Sequence, residues 1–142
     1  MILLDTSVVS AFMAVPPDAG VLAWLDTQDS DEIWITAITV YELRFGIERL
    51  ADSRRRRALE SGLRRALEVV LAGRIAPFDR SAAEVAATLT ARRQRSGRPI
   101  DSQDTQIAGI ALAHRARLAT RNTRHFADLE VEVIDPWSAT PT

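Results

Sequence analysis

Short apolar runs alternate with longer amphipathic stretches along the chain. Ile2, Leu3 and Leu4 form a run that predicts a short buried strand. Residues 6–14 then follow a helical pattern that stops at Pro16-Pro17. In "DAGVLAWLDTQ", Val21, Leu22 and Leu25 recur at helical spacing. "IWIT", 33–36, is β-branched and aromatic and predicts a second strand. The helix "AITVYELRFGIERL" follows, with Ile38, Tyr41, Phe45 and Ile47 among its apolar positions.

"SRRRRALESGLRRALEVVLAG" reads as one helix from a Ser53 cap to a Gly73 stop. "IAPF", 75–78, predicts a short strand. Asp79 or Ser81 can cap the next helix, and Ser81 with Glu84 has capping-box spacing. That helix runs to about Ser96-Gly97, and "DSQDTQIAGIALAHRA" predicts another. "RLAT" and "VEVI" close the chain as strands around a "RNTRHF" loop.

Apolar strands separated by helices predict an α/β fold with a parallel sheet covered on both faces. Functional groups in such sheets gather at the carboxyl ends of strands. Asp5 sits at the first of these ends. Glu42 interrupts the helix after the second strand, and Asp104 lies in the first turn of the late helix. Thr120, Arg121 and Asn122 follow "RLA". Each has an ordinary structural explanation. Asp5 can cap the first helix. Glu42 can pair with an arginine. Asp101 and Asp104 can be cap and third helical residue, and Asn122 can be a turn residue. Taken together, three acids from distant segments approach one sheet edge. Clustered carboxylates repel one another, and a cation relieves that repulsion. Oxygen donors without cysteine favour Mg²⁺ or Mn²⁺.

Composition narrows the field. The chain has 142 residues, no cysteine and a formal net charge of −1. That size suits one domain, and no apolar run reaches the roughly 18 residues of a membrane span. The start lacks the pattern of a signal peptide. Absent cysteine excludes disulfides and thiolate chemistry and accords with a reducing cytoplasm. All 18 basic residues are arginine. Lysine-dependent schemes are thereby excluded, including the receiver-domain and haloacid-dehalogenase patterns. No phosphate-binding glycine loop occurs.

"ILLDTSVVS", "ITVYELRFGIERL", "DSQDTQIAGIALA" and "LATRNTRHF…VEVIDPW" together resemble the PIN-domain family, in particular VapC-type toxins of the FitB-like branch. The resemblance covers residues 1–137 and leaves 138–142 as a short tail. It implies a three-layer α/β/α domain with a central five-stranded parallel sheet. It implies a Mg²⁺- or Mn²⁺-dependent endoribonuclease acting through metal-activated water. The implied partners are an RNA substrate, a cognate antitoxin and a second copy in a homodimer, heterotetramer or larger assembly, all in the cytoplasm and away from membranes. The family's acidic positions fall on Asp5, Glu42 and Asp104, as catalytic residues and metal ligands. Its hydroxyl beside the first acid falls on Thr6 or Ser7, with Ser7 favoured. Its fourth acidic position falls on Asn122, a neutral amide, with Thr120 and Arg121 beside it. Asp101 is a lesser candidate, one turn before Asp104. Asn122 keeps open a catalytically weak or inactive module that binds RNA or antitoxin.

The remaining charges have two readings each. Arg56–Glu60 and Glu60–Arg64 are i,i+4 pairs on a solvated helix, or the run contacts nucleic acid or a partner. "ARRQRSGRP" can border a substrate groove. Leu22, Trp24, Leu25, Trp34, Phe45 and Leu50 read mostly as core, or as partner contacts. His114 and His125 read as isolated structural or exposed residues.

Overall fold

The computed structural model describes residues 1–98 and 101–138. The expected tail, apart from Ser138, lies outside the described residues. Five strands form the sheet: β1 (Ile2–Leu4), β2 (Ile33–Thr36), β3 (Ile75–Ala76), β4 (Arg117–Ala119) and β5 (Val133–Ile134). All pairings are parallel, in the order β3-β2-β1-β4-β5. Among the described residues, six α-helices surround it: α1 (Thr6–Met13), α2 (Ala19–Asp26), α3 (Ala37–Glu48), α4 (Arg54–Arg65), α5 (Arg80–Arg95) and α6 (Ser102–His114). This is the expected three-layer α/β/α arrangement.

The two-residue period of a strand divides the core. Ile2 and Leu4 pack with Val8, Val9, Val21 and Trp24 on one face. Leu3 and Leu118 pack with Leu89, Ile107 and Ile110 on the other. On that second face α5 and α6 approach very closely. A Cβ added at Gly109 would stand 2.7 Å from the Ala86 Cβ and 2.8 Å from the Ala82 carbonyl oxygen. Among the described residues, no helix is long and apolar enough to cross a membrane.

Four local expectations are narrowed or corrected. The 53–73 helix is not uniform: α4 ends at Arg65 and a π-helical turn, Ala66–Val70, follows. The next helix is capped by Asp79, whose carboxylate accepts from the Ala82 amide at 3.0 Å. Ser81 lies within that helix, so there is no Ser81–Glu84 box. Within "VEVI" only Val133 and Ile134 pair. On α4, Glu60 turns to Arg56 at 2.8 Å rather than to Arg64, and Arg56 also reaches Glu48 at 3.0 Å.

Strand order fixes where a site can form. The chain runs outward from β1 through β2 to β3, then returns to the other side of β1 with β4 and β5. The crevice at the carboxyl ends of β1 and β4 is therefore the switch point of the sheet.

Candidate active site

Asp5 stands at this switch point, 3% exposed, with its amide bonded to the Ala119 carbonyl at 2.9 Å. Its backbone carbonyl accepts from the Val8 and Val9 amides of α1, yet its side chain makes no capping bond. The carboxylate is thus left for other partners. The Thr120 hydroxyl, fully buried at the end of β4, donates to Asp5 Oδ2 at 2.7 Å. The Ser7 hydroxyl lies 3.4 Å from the same oxygen and accepts from the Arg121 amide at 3.3 Å.

Glu42 comes from the first half of α3. Its partner is not an arginine but the Thr6 hydroxyl, which donates to Oε1 at 2.8 Å. Of the two candidate hydroxyls, Ser7 therefore serves Asp5 and Thr6 serves Glu42. Burial raises the Glu42 carboxyl above its ordinary value. The Thr6 bond opposes that rise, and the charges of Asp5, Asp104 and Asp101 add to it.

Asp104 sits in the first turn of α6. Asp101 caps this helix by accepting from the Gln103 and Asp104 amides at 2.8 and 3.3 Å. Its carboxylate is exposed and engaged in that cap, which supports its structural role. Burial raises Asp104 as well, with Asp5 adding to the rise and a bond to His125 opposing it. His125 Nδ1 meets Asp104 Oδ2 at 2.6 Å. His125 is therefore not isolated, contrary to the sequence reading. The signal for it was weak: its only mark was a place in the loop after β4.

Asn122 is exposed at the rim, with its amide donating to the Thr120 hydroxyl at 3.0 Å. Within "ARRQRSGRP", Arg93 does not border a groove. It is 3% exposed and points inward. Its guanidinium donates to both Asp128 oxygens at 3.0 and 2.9 Å, to Thr105 Oγ1 at 2.8 Å and to the His125 carbonyl at 2.8 Å. Thr105 adjoins Asp104 in sequence, and His125 touches it. Pro99 of the same run lies outside the described residues.

Each of the three acids is held by a neutral hydroxyl or an imidazole. Among the described residues, no arginine forms an ion pair with them, although the chain carries 18. The negative charge is left without an internal arginine counterion. Carboxylates and hydroxyls are donors for a hard divalent cation. Among the described residues, no three His, Asp or Glu side chains form a ready-made metal cage. Such a donor set fits an ion that keeps much of its water, as Mg²⁺ does with one or two carboxylates.

Two features lie beside the acids. A groove of about 870 Å³ runs between α1, α3 and α4, walled by Met13, Val15, Leu43, Ile47 and Leu59. Glu42 and Thr6 line it, as do Arg54 and Arg55. On α3 the Tyr41 and Phe45 rings stack at 6.2 Å and remain largely exposed, so Phe45 is not core. Trp24, by contrast, is buried.

Known proteins share this framework. The PIN domain family pattern matches residues 2–132. VapC ribonuclease Y4jK of Sinorhizobium fredii is 40% identical over 137 residues, covering 96% of this chain and 98% of that protein. Toxin FitB of Neisseria gonorrhoeae is 36% identical, covering 96% and 99%. The crystal structure of FitAcB from that organism superimposes with a TM-score of 0.87, covering 98% of this chain and 100% of that one at 36% identity. VapBC-5 from Mycobacterium tuberculosis, a member of the VapBC family of toxin–antitoxin systems, gives 0.66 at 27% identity over 93% and 95%. The chain belongs to the PIN-domain family, in the group that holds the VapC and FitB toxins.

Proposed function

We propose that this chain is a divalent-metal-dependent endoribonuclease and the toxin half of a toxin–antitoxin pair. The observation that carries the reading is the set of acids from β1, α3 and α6. Burial, with the charges of the neighbouring acids adding to it, raises the proton affinity of Glu42 and Asp104, and among the described residues no arginine forms an ion pair with them. The ribonuclease name of Y4jK supports the same class.

Asp5, Glu42 and Asp104 are the residues that would hold Mg²⁺ or Mn²⁺. A bound ion of this kind supplies charge neutralisation and lowers the proton affinity of a water. Thr120 keeps the Asp5 carboxylate in place. Thr6 fixes Glu42 through the hydroxyl bond to Oε1. His125 and the Asp101 cap hold Asp104. Asn122 contributes an amide where an acid would add charge, so one tightly held ion is the simpler occupancy.

The groove beside Glu42 is where an antitoxin segment would lie, with its apolar side on Leu43, Ile47 and Leu59. VapBC-5 is described as such a two-protein system. Its place of action is the cytoplasm, with its RNA.

The test is cleavage of RNA by purified protein with Mn²⁺ and with EDTA. Asp5→Asn, Glu42→Gln and Asp104→Asn should each lower the rate by about 10²-fold or more. Wild-type rates in any of them, with contaminating nuclease excluded, would overturn the assignment. The neutral Asn122 favours a second reading, a module that binds RNA or antitoxin without turnover. Tight RNA binding with no metal-dependent cutting would establish that one.

A further inference from the structure

A second cavity, which shares Ser10 and Ala14 with the groove, opens beside Ser7. Its volume is about 400 Å³, and its lining includes Ser7, Ser10, Ala14, Asp18, Arg121 and Trp137. The Arg121 guanidinium carbon lies 4.8 Å from the centre of the Trp137 ring. A guanidinium stacked on a ring is held flat, while its edge donors stay free for an anion. Arg121 is exposed, and among the described residues no carboxylate forms an ion pair with it.

The ring is itself anchored. Trp137 Nε1 donates to Asp18 Oδ2 at 3.2 Å, and Asp18 Oδ1 accepts from the Val21 amide at 3.0 Å. Both Asp18 oxygens are thereby occupied. The Asp18 charge sits against the start of α2, which favours it. At the other end, the Arg121 amide donates to the Ser7 hydroxyl, which lies beside Asp5. A chain of contacts thus runs from the acids through Ser7 to Arg121, Trp137 and Asp18.

We infer that this cavity is a nucleotide subsite of the strand being cut. Arg121 binds a backbone phosphate adjacent to the one at the acids, and Trp137 acts as its positioning residue. The inference rests on the ribonuclease reading for the role of the acids. Guanidinium donors match phosphate oxygens in pairs, and an exposed, unpaired arginine beside an acidic pocket suits a polyanion that must approach it. The cavity has room for one base, with Ala14 on its wall and the Ser7 and Ser10 hydroxyls available to polar edges.

Binding of a fluorescein-labelled, ten-nucleotide single-stranded RNA tests this without any cutting. Anisotropy is read in EDTA from about 50 to 300 mM salt, with the matching DNA as a second arm. One phosphate contact on a single strand contributes about 0.7 to the slope of log K against log salt. Arg121→Gln should lower the slope by about that much and weaken binding about tenfold. Trp137→Leu should keep the slope, because the charge remains, and weaken binding severalfold. Trp137→Phe, which keeps a ring face, should recover most of that loss.

Arg121→Gln with wild-type affinity and slope would overturn the subsite, as would wild-type protein that binds no RNA. Trp137→Leu with wild-type affinity would overturn the positioning role. DNA bound as tightly as RNA would show that the phosphate, and not the ribose, is read. Melting curves confirm that each variant is folded. Cleavage with Mn²⁺ is scored separately. A changed slope without cutting would sink the nuclease reading and leave the subsite. Cutting with an unchanged Arg121→Gln slope would do the reverse.

Discussion

Replacing Arg93 with methionine removes the guanidinium that joins α5, the start of α6 and the loop after β4. Methionine keeps most of the apolar stem, so the loss is confined to the polar head. Four hydrogen bonds disappear, two of them to Asp128, which is only 18% exposed. Removing one partner of a buried ion pair costs about 3–5 kcal/mol, because the other charge is left buried. Two features reduce that here. Water reaches the edge of Asp128, and the Thr105 hydroxyl keeps its bond to the Asp101 carbonyl at 3.1 Å. The expected loss is therefore near the lower end, about 3 kcal/mol, or roughly 10 °C in Tm for a chain of this length. Urea unfolding followed by tryptophan fluorescence measures it. Arg93→Met with Asp128→Asn should cost less than Arg93→Met alone, since the orphan charge is gone. Acid should also narrow the gap. The Arg93 bond and charge hold Asp128 below its ordinary 3.8. A carboxyl lowered in the fold contributes stability above its unfolded value and loses it as pH falls through the folded value. The difference between wild type and Arg93→Met should thus be full at pH 7 and shrink below about pH 4. A gap under about 1 kcal/mol at pH 7, or one indifferent to acid, would refute the role given to Arg93.

Gly109→Ala should destabilise by about 1–3 kcal/mol in the same assay, because the new methyl meets the Ala82 carbonyl as well as a side chain; a variant as stable as wild type would show that α5 and α6 can separate freely. Glu42→Gln should raise Tm in EDTA at neutral pH, since it removes a charge that burial and Asp5 both disfavour. An unchanged or lower Tm would mean that the acids do not strain one another.

The architecture was legible because its signals are local. Apolar runs at 2–4 and 33–36 mark strands, and the helix starts carry capping residues. Asp5, Glu42 and Asp104 stood out because each breaks an apolar context at a place where parallel sheets gather function. Arg93 did not stand out. It lies among arginines that do face water, and no local pattern separates it from Arg92 or Arg95. Its burial depends on Asp128, 35 residues away. His125 was hidden for the same reason, since it meets Asp104 across 21 residues. The π-helical turn at Ala66–Val70 leaves the residue pattern of a helix in place, so apolar spacing alone cannot reveal it.

What distinguishes the site is how an arginine-rich chain distributes its cations. Glu48, Glu60, Glu84 and Asp128 all receive guanidinium partners. Asp5, Glu42 and Asp104 receive a threonine, a threonine and a histidine. Hydroxyls orient a carboxylate without neutralising it. A buried acid cluster arranged this way is costly for the fold, as the raised carboxyls of Glu42 and Asp104 show. Arginine pairing would have removed that cost by neutralising the acids. Arg93 reaches the neighbourhood but bonds to Thr105 and the His125 backbone, which flank Asp104, and spends its charge on Asp128. Arg121, two residues beyond the end of β4, is stacked on Trp137. Two nearby guanidinium groups, Arg93 and Arg121, are thus directed to other partners, and the three acids keep their charge.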